Sequence, residues 1–140
     1  MDEPLRPVGD RWALRFERRF AHPPEKVWRA ITEPEHLSRW YPFPATELDP
    51  RVGGTIRFSD GESAELQAEI TEFLPPKVFA FREYDEETGT HELRIELHPD
   101  DDGCRMVFTH TFADKTWAAQ TETGWMHCLD ALTRALDESV

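Results

Sequence analysis

The sequence contains no long apolar run. A membrane-spanning helix needs roughly 18 consecutive apolar residues. No apolar run in this 140-residue sequence approaches that length. Residues 1–10 also lack the apolar core of a secretory signal. We therefore expect a cytoplasmic protein without a membrane span.

Positive charge is scarce. The chain has 16 Lys and Arg residues against 28 Asp and Glu residues, which gives a formal net charge of -12. A surface with this excess of negative charge repels the phosphate backbone of DNA and RNA. Nucleic acid is therefore not an expected partner.

Cysteine is rare too, and Cys104 and Cys128 show no CxxC spacing. This excludes a zinc ribbon or thioredoxin-type site and favours free thiols, with a disulfide as the alternative. Cys104 and His110 lie on one predicted strand, and at about 3.3 Å per residue they are about 20 Å apart. This distance is too long for the two side chains to share a zinc ion. The acidic turns at 85–89 and 100–103 lack EF-hand spacing. We expect no metal and no cofactor.

Catalytic motifs are missing as well. The sequence has no GxxxxGK or GxGxxG run for phosphate binding, and Ser38, Ser59 and Ser63 lack a nucleophile-elbow context. No nucleophile with an adjacent base and an orienting acid is evident. The sequence therefore favours a protein that is not an enzyme.

Large apolar side chains are plentiful. Hydrophobic residues make up 39% of the chain and include five Trp and nine Phe, enough for one sizeable core. A chain of this length fits one domain. We predict a single domain over residues 11–140, preceded by a flexible N-terminus at residues 1–10.

The apolar residues recur with two different periods. Period-two alternation predicts strands over residues 11–20, 45–49, 55–59, 62–74, 77–84, 91–98 and 103–112. Two prolines at 23 and 24 favour the start of a helix, and a second short helix follows over residues 35–40. After Asp114 the spacing changes to three and four, which predicts one long amphipathic helix. We expect Gly124 to let this helix approach the sheet closely.

This order of elements indicates an α+β fold of the helix-grip kind. Six or seven antiparallel strands form a curved sheet, with two short helices after the first strand, and the long C-terminal helix has to cover the apolar face. A long sheet bent around one helix leaves a gap unless aromatic side chains fill it, and small ligands bind in such gaps.

Several short motifs together resemble the START/SRPBCC superfamily, in the branch named for homology to the activator of the heat-shock-protein-90 ATPase. They are VWRAIT at 27–32, HLSRW at 36–40, VGG at 52–54, VFTHTF at 107–112, and GW at 124–125 with Cys128, Leu129 and Leu132. The resemblance implies the helix-grip fold of START and Bet v-like proteins and an enclosed hydrophobic ligand. It also implies a possible chaperone contact.

His110 is the sharpest candidate site residue. Strand alternation places it on the same face as Phe108, toward the long helix. A buried imidazole needs a partner or stays neutral, so His110 is either a polar anchor for a ligand or a core histidine bonded to Thr121 or Glu122.

Aromatic residues supply the other candidates. Trp117, Thr121 and Trp125 share one face of the long helix, where they either wall a pocket or fill the core. Trp40, Tyr41 and Phe43 follow the short helices, where they form either a mouth that closes over a ligand or an aromatic plug.

These patterns favour a module that binds a small hydrophobic or aromatic molecule in an internal apolar cavity. One alternative is a cyclase or aromatase type of enzyme that uses His110 as a proton shuttle in the same cavity. The other is a protein-interaction role, as a co-chaperone or stress-response partner, through an acidic outer face of the sheet.

Overall fold

The structure is a computed structural model that describes residues 5–41, 44–59, 65–85, 89–113, 116 and 118–138. Within these residues the chain forms eight strands and three helices. They are β1 Leu5–Val8, β2 Arg11–Phe20, α1 Pro24–Thr32, α2 Pro34–Leu37, β3 Ala45–Leu48, β4 Thr55–Ser59, β5 Glu65–Leu74, β6 Val78–Asp85, β7 Gly89–Asp100, β8 Gly103–Phe112 and α3 Ala118–Glu138.

The strands form one antiparallel sheet in the order β1-β2-β8-β7-β6-β5-β4-β3. The pairing of β2 with β8 joins the two ends of the chain, with Phe16 opposite Phe108 and Leu14 opposite His110. A register shift between Ile70 and Glu72 marks a bulge in β5, and bulges bend and twist a sheet. The long helix α3 buries its apolar stripe in the same core as the inner face of the sheet. The helix-grip fold expected from the sequence is confirmed.

The N-terminus differs from the prediction, because Leu5–Val8 forms a strand within the expected flexible region of residues 1–10. Leu5 lies opposite Leu14 in β2, and Gly9 turns the chain with a φ of 63°. Glycine reaches this positive φ without a steric penalty, and a Gly-Asp pair is a hairpin signal. The sheet therefore has eight strands among the described residues, rather than six or seven.

The short helices cover one end of the inner face. Trp28 of α1 packs edge-on against Phe73 and Phe79, with ring centroids 5.3 and 6.1 Å apart. Trp40 Nε1 donates a hydrogen bond to the Ala30 carbonyl at 2.9 Å. This end of the core is built mainly from apolar side chains, and the Trp40 indole N–H is bonded to backbone.

The two cysteines are free thiols, as the sequence favoured. Cys104 is buried, and burial raises its pKa to about 11, while Cys128 is half-buried. In the part of the chain that the structure describes, no helix is long and apolar enough to cross a membrane.

Gly124 does not provide the close approach that the sequence suggested. It is exposed, and a Cβ placed on it would meet nothing within 4 Å. Successive helix residues point about 100° apart, so the residue beside a buried Trp125 faces away from the sheet. The contact between α3 and the sheet is made by larger residues of the stripe.

We predict that Gly124→Ala stabilises the protein by about 0.5–1 kcal/mol, because alanine costs less backbone entropy inside a helix and has open space here. Urea unfolding measures the change. Gly54→Ala is the contrasting variant, since its Cβ would lie 2.2 Å from the Asp49 carbonyl oxygen, and it should destabilise. A neutral or destabilising Gly124→Ala would show that α3 needs glycine at this position.

Candidate functional site

Polar side chains gather at one end of the inner face, away from Trp28. We call Tyr41, Glu83, His91, His110 and Trp125 the inner polar cluster. They come from five parts of the chain: the segment after α2, then β6, β7, β8 and α3. Glu83 and His91 lie directly opposite each other on β6 and β7. Antiparallel pairing therefore brings together residues that are far apart in sequence.

His110 bonds through both of its ring nitrogens. Trp125 Nε1 donates to His110 Nδ1 at 2.9 Å, and His110 Nε2 lies 2.8 Å from His91 Nδ1. The indole N–H can only donate, so His110 Nδ1 carries no proton. The His110 proton is then on Nε2 and is donated to His91, whose Nδ1 accepts it. The hydrogen-bond pattern thus assigns the ring proton of His110 to Nε2 and makes His91 Nδ1 its acceptor.

Burial reinforces the neutral state of His110, whose side chain is only 6% exposed. Removal from water, followed by the nearby His91, lowers the pKa of His110 to about 3. Burial has this effect because an apolar environment disfavours the charged imidazolium. His110 therefore stays neutral across the physiological pH range.

Tyr41 and Glu83 form the second polar pair of the cluster. The Tyr41 hydroxyl donates a hydrogen bond to the Glu83 carboxylate. Burial, followed by the negative charge of Glu83, raises the pKa of Tyr41 well above its ordinary value. Tyr41 is therefore a protonated donor, and Glu83 is the carboxylate of the cluster.

Aromatic rings surround these polar groups. Tyr41 stacks on Phe58 with centroids 4.8 Å apart, and it lies 5.6 Å from the Trp125 ring. Trp125 in turn lies 4.7 Å from Phe108. Any molecule that binds between α3 and this end of the sheet would meet aromatic faces and a small number of fixed polar atoms.

The structure brings together four of the predicted site residues, Tyr41, Phe108, His110 and Trp125. Trp40 packs 5.7 Å from the Tyr41 ring, although its N–H points to the backbone of α1. The predicted partner of His110 was wrong, because the bonds go to Trp125 and His91 rather than to Thr121 or Glu122. The indole N–H of Trp125, one helical turn after Thr121, makes the hydrogen bond to His110 that Thr121 or Glu122 was expected to make.

Three predicted residues remain apart from this group. Thr121 is half-buried on α3, about one turn before Trp125. Phe43 and Trp117 lie outside the described residues. Within the described ranges, no group of three or more His, Cys, Asp and Glu side chains is placed to hold a metal ion.

Sequence reasoning missed Glu83 and His91. Glu83 is two residues after the buried Phe81, and His91 is two residues before the buried Leu93. The same alternation that placed His110 on the inner face therefore placed these two residues there as well. The predicted strands end at Tyr84 and begin at His91, whereas the strands of the structure continue to Asp85 and begin at Gly89.

Comparison with known proteins identifies one matching family model. Residues 21–137 match the sequence model of the family described as Activator of Hsp90 ATPase homolog 1-like protein. No curated protein matches the chain.

Solved structures share the fold at low sequence identity. CalU16 from Micromonospora echinospora has a TM-score of 0.78 at 22% identity, covering 94% of this chain and 82% of that one. DynU16, from the dynemicin biosynthetic locus, has a TM-score of 0.77 at 19% identity, and the match covers 89% of this chain and 47% of that one. The Aha1 dimer from Colwellia psychrerythraea has a TM-score of 0.74 at 22% identity, with 89% of this chain and 95% of that one covered. These matches confirm the architecture.

The buried neutral His110 makes the free energy of unfolding depend on pH. Its folded-state pKa of about 3 lies below the ordinary 6.5, so the unfolded chain takes up the proton first as the pH falls. The stability from this group is complete above pH 6.5 and is lost toward pH 3, by about 1.4 kcal/mol per pH unit.

Urea unfolding at several pH values in this window tests the prediction. His110→Gln removes the titrating group and should flatten the decline relative to the wild type. His127→Gln is the matched control, because His127 is an exposed imidazole of α3, and it should keep the wild-type slope. Equal slopes for the wild type and His110→Gln would contradict the assignment of a buried neutral histidine.

Proposed function

The chain belongs to the family of Activator of Hsp90 ATPase homolog 1-like proteins, and on that premise we propose that it binds a small hydrophobic or aromatic molecule. The molecule would lie between α3 and the inner face of the sheet, against Phe108 and Trp125. The inner polar cluster would orient it. Trp40 and Tyr41 would border the bound molecule on the side of the short helices.

The observation that carries this proposal is the contrast between the two ends of the core. At one end, Trp28, Phe73 and Phe79 pack against one another as aromatic rings. At the other end, the inner face carries a carboxylate, two imidazoles and a phenol. Burying polar groups costs free energy even when they are paired, so a core built for stability alone would be apolar at both ends. Apolar walls with a few convergent polar groups are typical of ligand sites.

The exposure of these groups supports a direction of entry. His110 is buried, whereas Glu83 and His91 are half-buried. A molecule could therefore insert an apolar part toward Phe108 and keep a polar part beside Glu83 and His91. The position of DynU16 in a biosynthetic locus is compatible with a small organic ligand.

The alternative of an enzyme with His110 as proton shuttle has less support. Both ring nitrogens of His110 are bonded, and its pKa of about 3 makes it a poor base at neutral pH. A general base works best with a pKa near the operating pH. These features suit a fixed anchor better than a proton carrier.

We predict saturable binding of an anilinonaphthalene dye, with thermal stabilisation that grows with ligand concentration. Because the dye would lie against the Trp125 ring, Trp125→Phe should weaken its binding, whereas Trp28→Phe should leave the affinity unchanged, since Trp28 is at the other end of the core. Absence of saturable binding for the dye and for a panel of lipids and polyphenols would contradict the proposal.

Chaperone contact is the second candidate, and the family description is the observation that favours it. Two glutamates of the outer sheet are paired with arginines, Glu69 with Arg82 and Glu72 with Arg94, which reduces the negative charge that this face offers to a partner. A direct test is the ATPase rate of Hsp90 with a saturating excess of the chain. A rate increase would support this role, and an unchanged rate would leave small-molecule binding alone.

A further inference from the structure

The ring of Trp125 is packed too closely against its neighbours for a ligand to lie between them. Its centroid is 4.7 Å from that of Phe108 and 5.6 Å from that of Tyr41, and all three side chains are buried. Carbon atoms in contact lie about 3.5–4.0 Å apart, so a planar molecule between two rings needs them to be about twice that distance apart. One of the rings must therefore move when a ligand enters between Trp125 and Phe108.

Trp125 is the ring that can move. Phe108 lies on β8, which pairs with β2 on one side and with β7 on the other. Of residues 119–128 on α3, all of which the structure describes, Trp125 is the one that is buried, and three buried leucines hold the later turns. Segments with few buried apolar contacts open at low free-energy cost. The first half of α3 is therefore the part that yields to a ligand.

This movement breaks the bond between Trp125 and His110. The two nitrogens are 2.9 Å apart, and a shift by one ring thickness, roughly 3.5 Å, takes them beyond hydrogen-bond distance. The indole N–H moves outward with the helix, where water can accept its proton. His110 stays on the sheet, and its ring proton remains on Nε2, which lies 2.8 Å from His91 Nδ1. His110 Nδ1 is then a buried acceptor without a donor.

We propose that the bound molecule carries a neutral O–H or N–H group that replaces the Trp125 indole as the donor to His110 Nδ1. This inference rests on the proposed function and adds a hydrogen-bond donor to the apolar skeleton of the ligand. A buried acceptor left without a donor costs free energy, so a molecule that supplies the donor binds more tightly than one of the same shape without it. His110 is then the residue that determines specificity.

Naphthol and methylnaphthalene are matched probes for this donor, since they differ in a hydroxyl against a methyl group. Methoxynaphthalene is the third probe, because its oxygen can accept a hydrogen bond but cannot donate one. Equilibrium dialysis measures the three affinities in each protein. Comparing the ratio of two affinities between proteins cancels the difference in hydrophobicity between the probes.

Two variants isolate the contribution of His110. Trp125→Phe removes the indole and keeps the acceptor, so it should weaken all three probes and retain the wild-type ratio of naphthol to methylnaphthalene affinity. His110→Phe, added to Trp125→Phe, removes the acceptor without leaving a buried indole N–H unpaired. It should lower that ratio about tenfold, which corresponds to about 1.4 kcal/mol. The ratio of methoxynaphthalene to methylnaphthalene affinity should not change. Urea unfolding confirms that both variants are folded.

Deuterium exchange of the indole N–H groups, followed by NMR, gives a readout in the wild type. The Trp125 signal is assigned by its loss in Trp125→Phe. It should exchange faster when naphthol is bound, although binding slows exchange that requires unfolding. The indole N–H of Trp40, which bonds to the Ala30 carbonyl, is the internal reference and should stay protected.

The outcomes separate the inference from the proposed function. If the probes bind but the naphthol ratio is the same with and without His110, the donor inference is overturned and the apolar site stands. A Trp125 N–H that stays protected in the naphthol complex would overturn it as well. If none of the probes binds saturably, the proposed site fails and the inference fails with it.

Discussion

One buried hydrogen bond between the long helix and the sheet sets the geometry on which the rest depends. Hydrophobic packing has no direction, so Leu129, Leu132 and Leu136 alone would tolerate more than one rotation of α3. The indole N–H of Trp125 is different, because a buried donor without an acceptor costs about 1–3 kcal/mol. Its acceptor is His110 Nδ1. The bond therefore fixes how α3 turns toward the inner face.

The same bond organises the polar groups beyond it. With Nδ1 occupied, His110 has to carry its proton on Nε2, and that proton sets which nitrogen of His91 accepts. The bond from Trp125 on α3 therefore orients the His110 ring on β8, and the next bond orients the His91 ring on β7. Beside this chain, Tyr41 and Glu83 are held by their own bond. A ligand would meet groups whose proton positions are already determined, which reduces the entropy lost on binding.

Alternation predicted the strands and the inward-facing side chains, because a strand has only two faces and one must be covered. His110 and Phe108 could therefore be placed from sequence alone, and the helical period did the same for Trp125. The partner of His110 could not be predicted from sequence. It depends on the rotation of α3 against the sheet, which no local pattern specifies. β1 was not predicted, because a short edge strand that contains Pro7 shows little alternation of apolar and polar residues. Glu83 could also have been placed on the inner face from sequence, because it lies two residues after Phe81 and strand residues two apart share a face.

The two faces of the sheet contribute to different properties. The outer face holds exposed ion pairs such as Arg82 with Glu69 and Arg105 with Glu17, and such pairs each contribute about 0–1 kcal/mol. Stability must then come from the inner face, where the end around Trp28 is built mainly from apolar side chains. Because that end and the α3 leucines hold the fold, the opposite end can carry a carboxylate and two imidazoles. A fold stabilised at one end can place its chemistry at the other, since local opening there leaves the rest of the core intact.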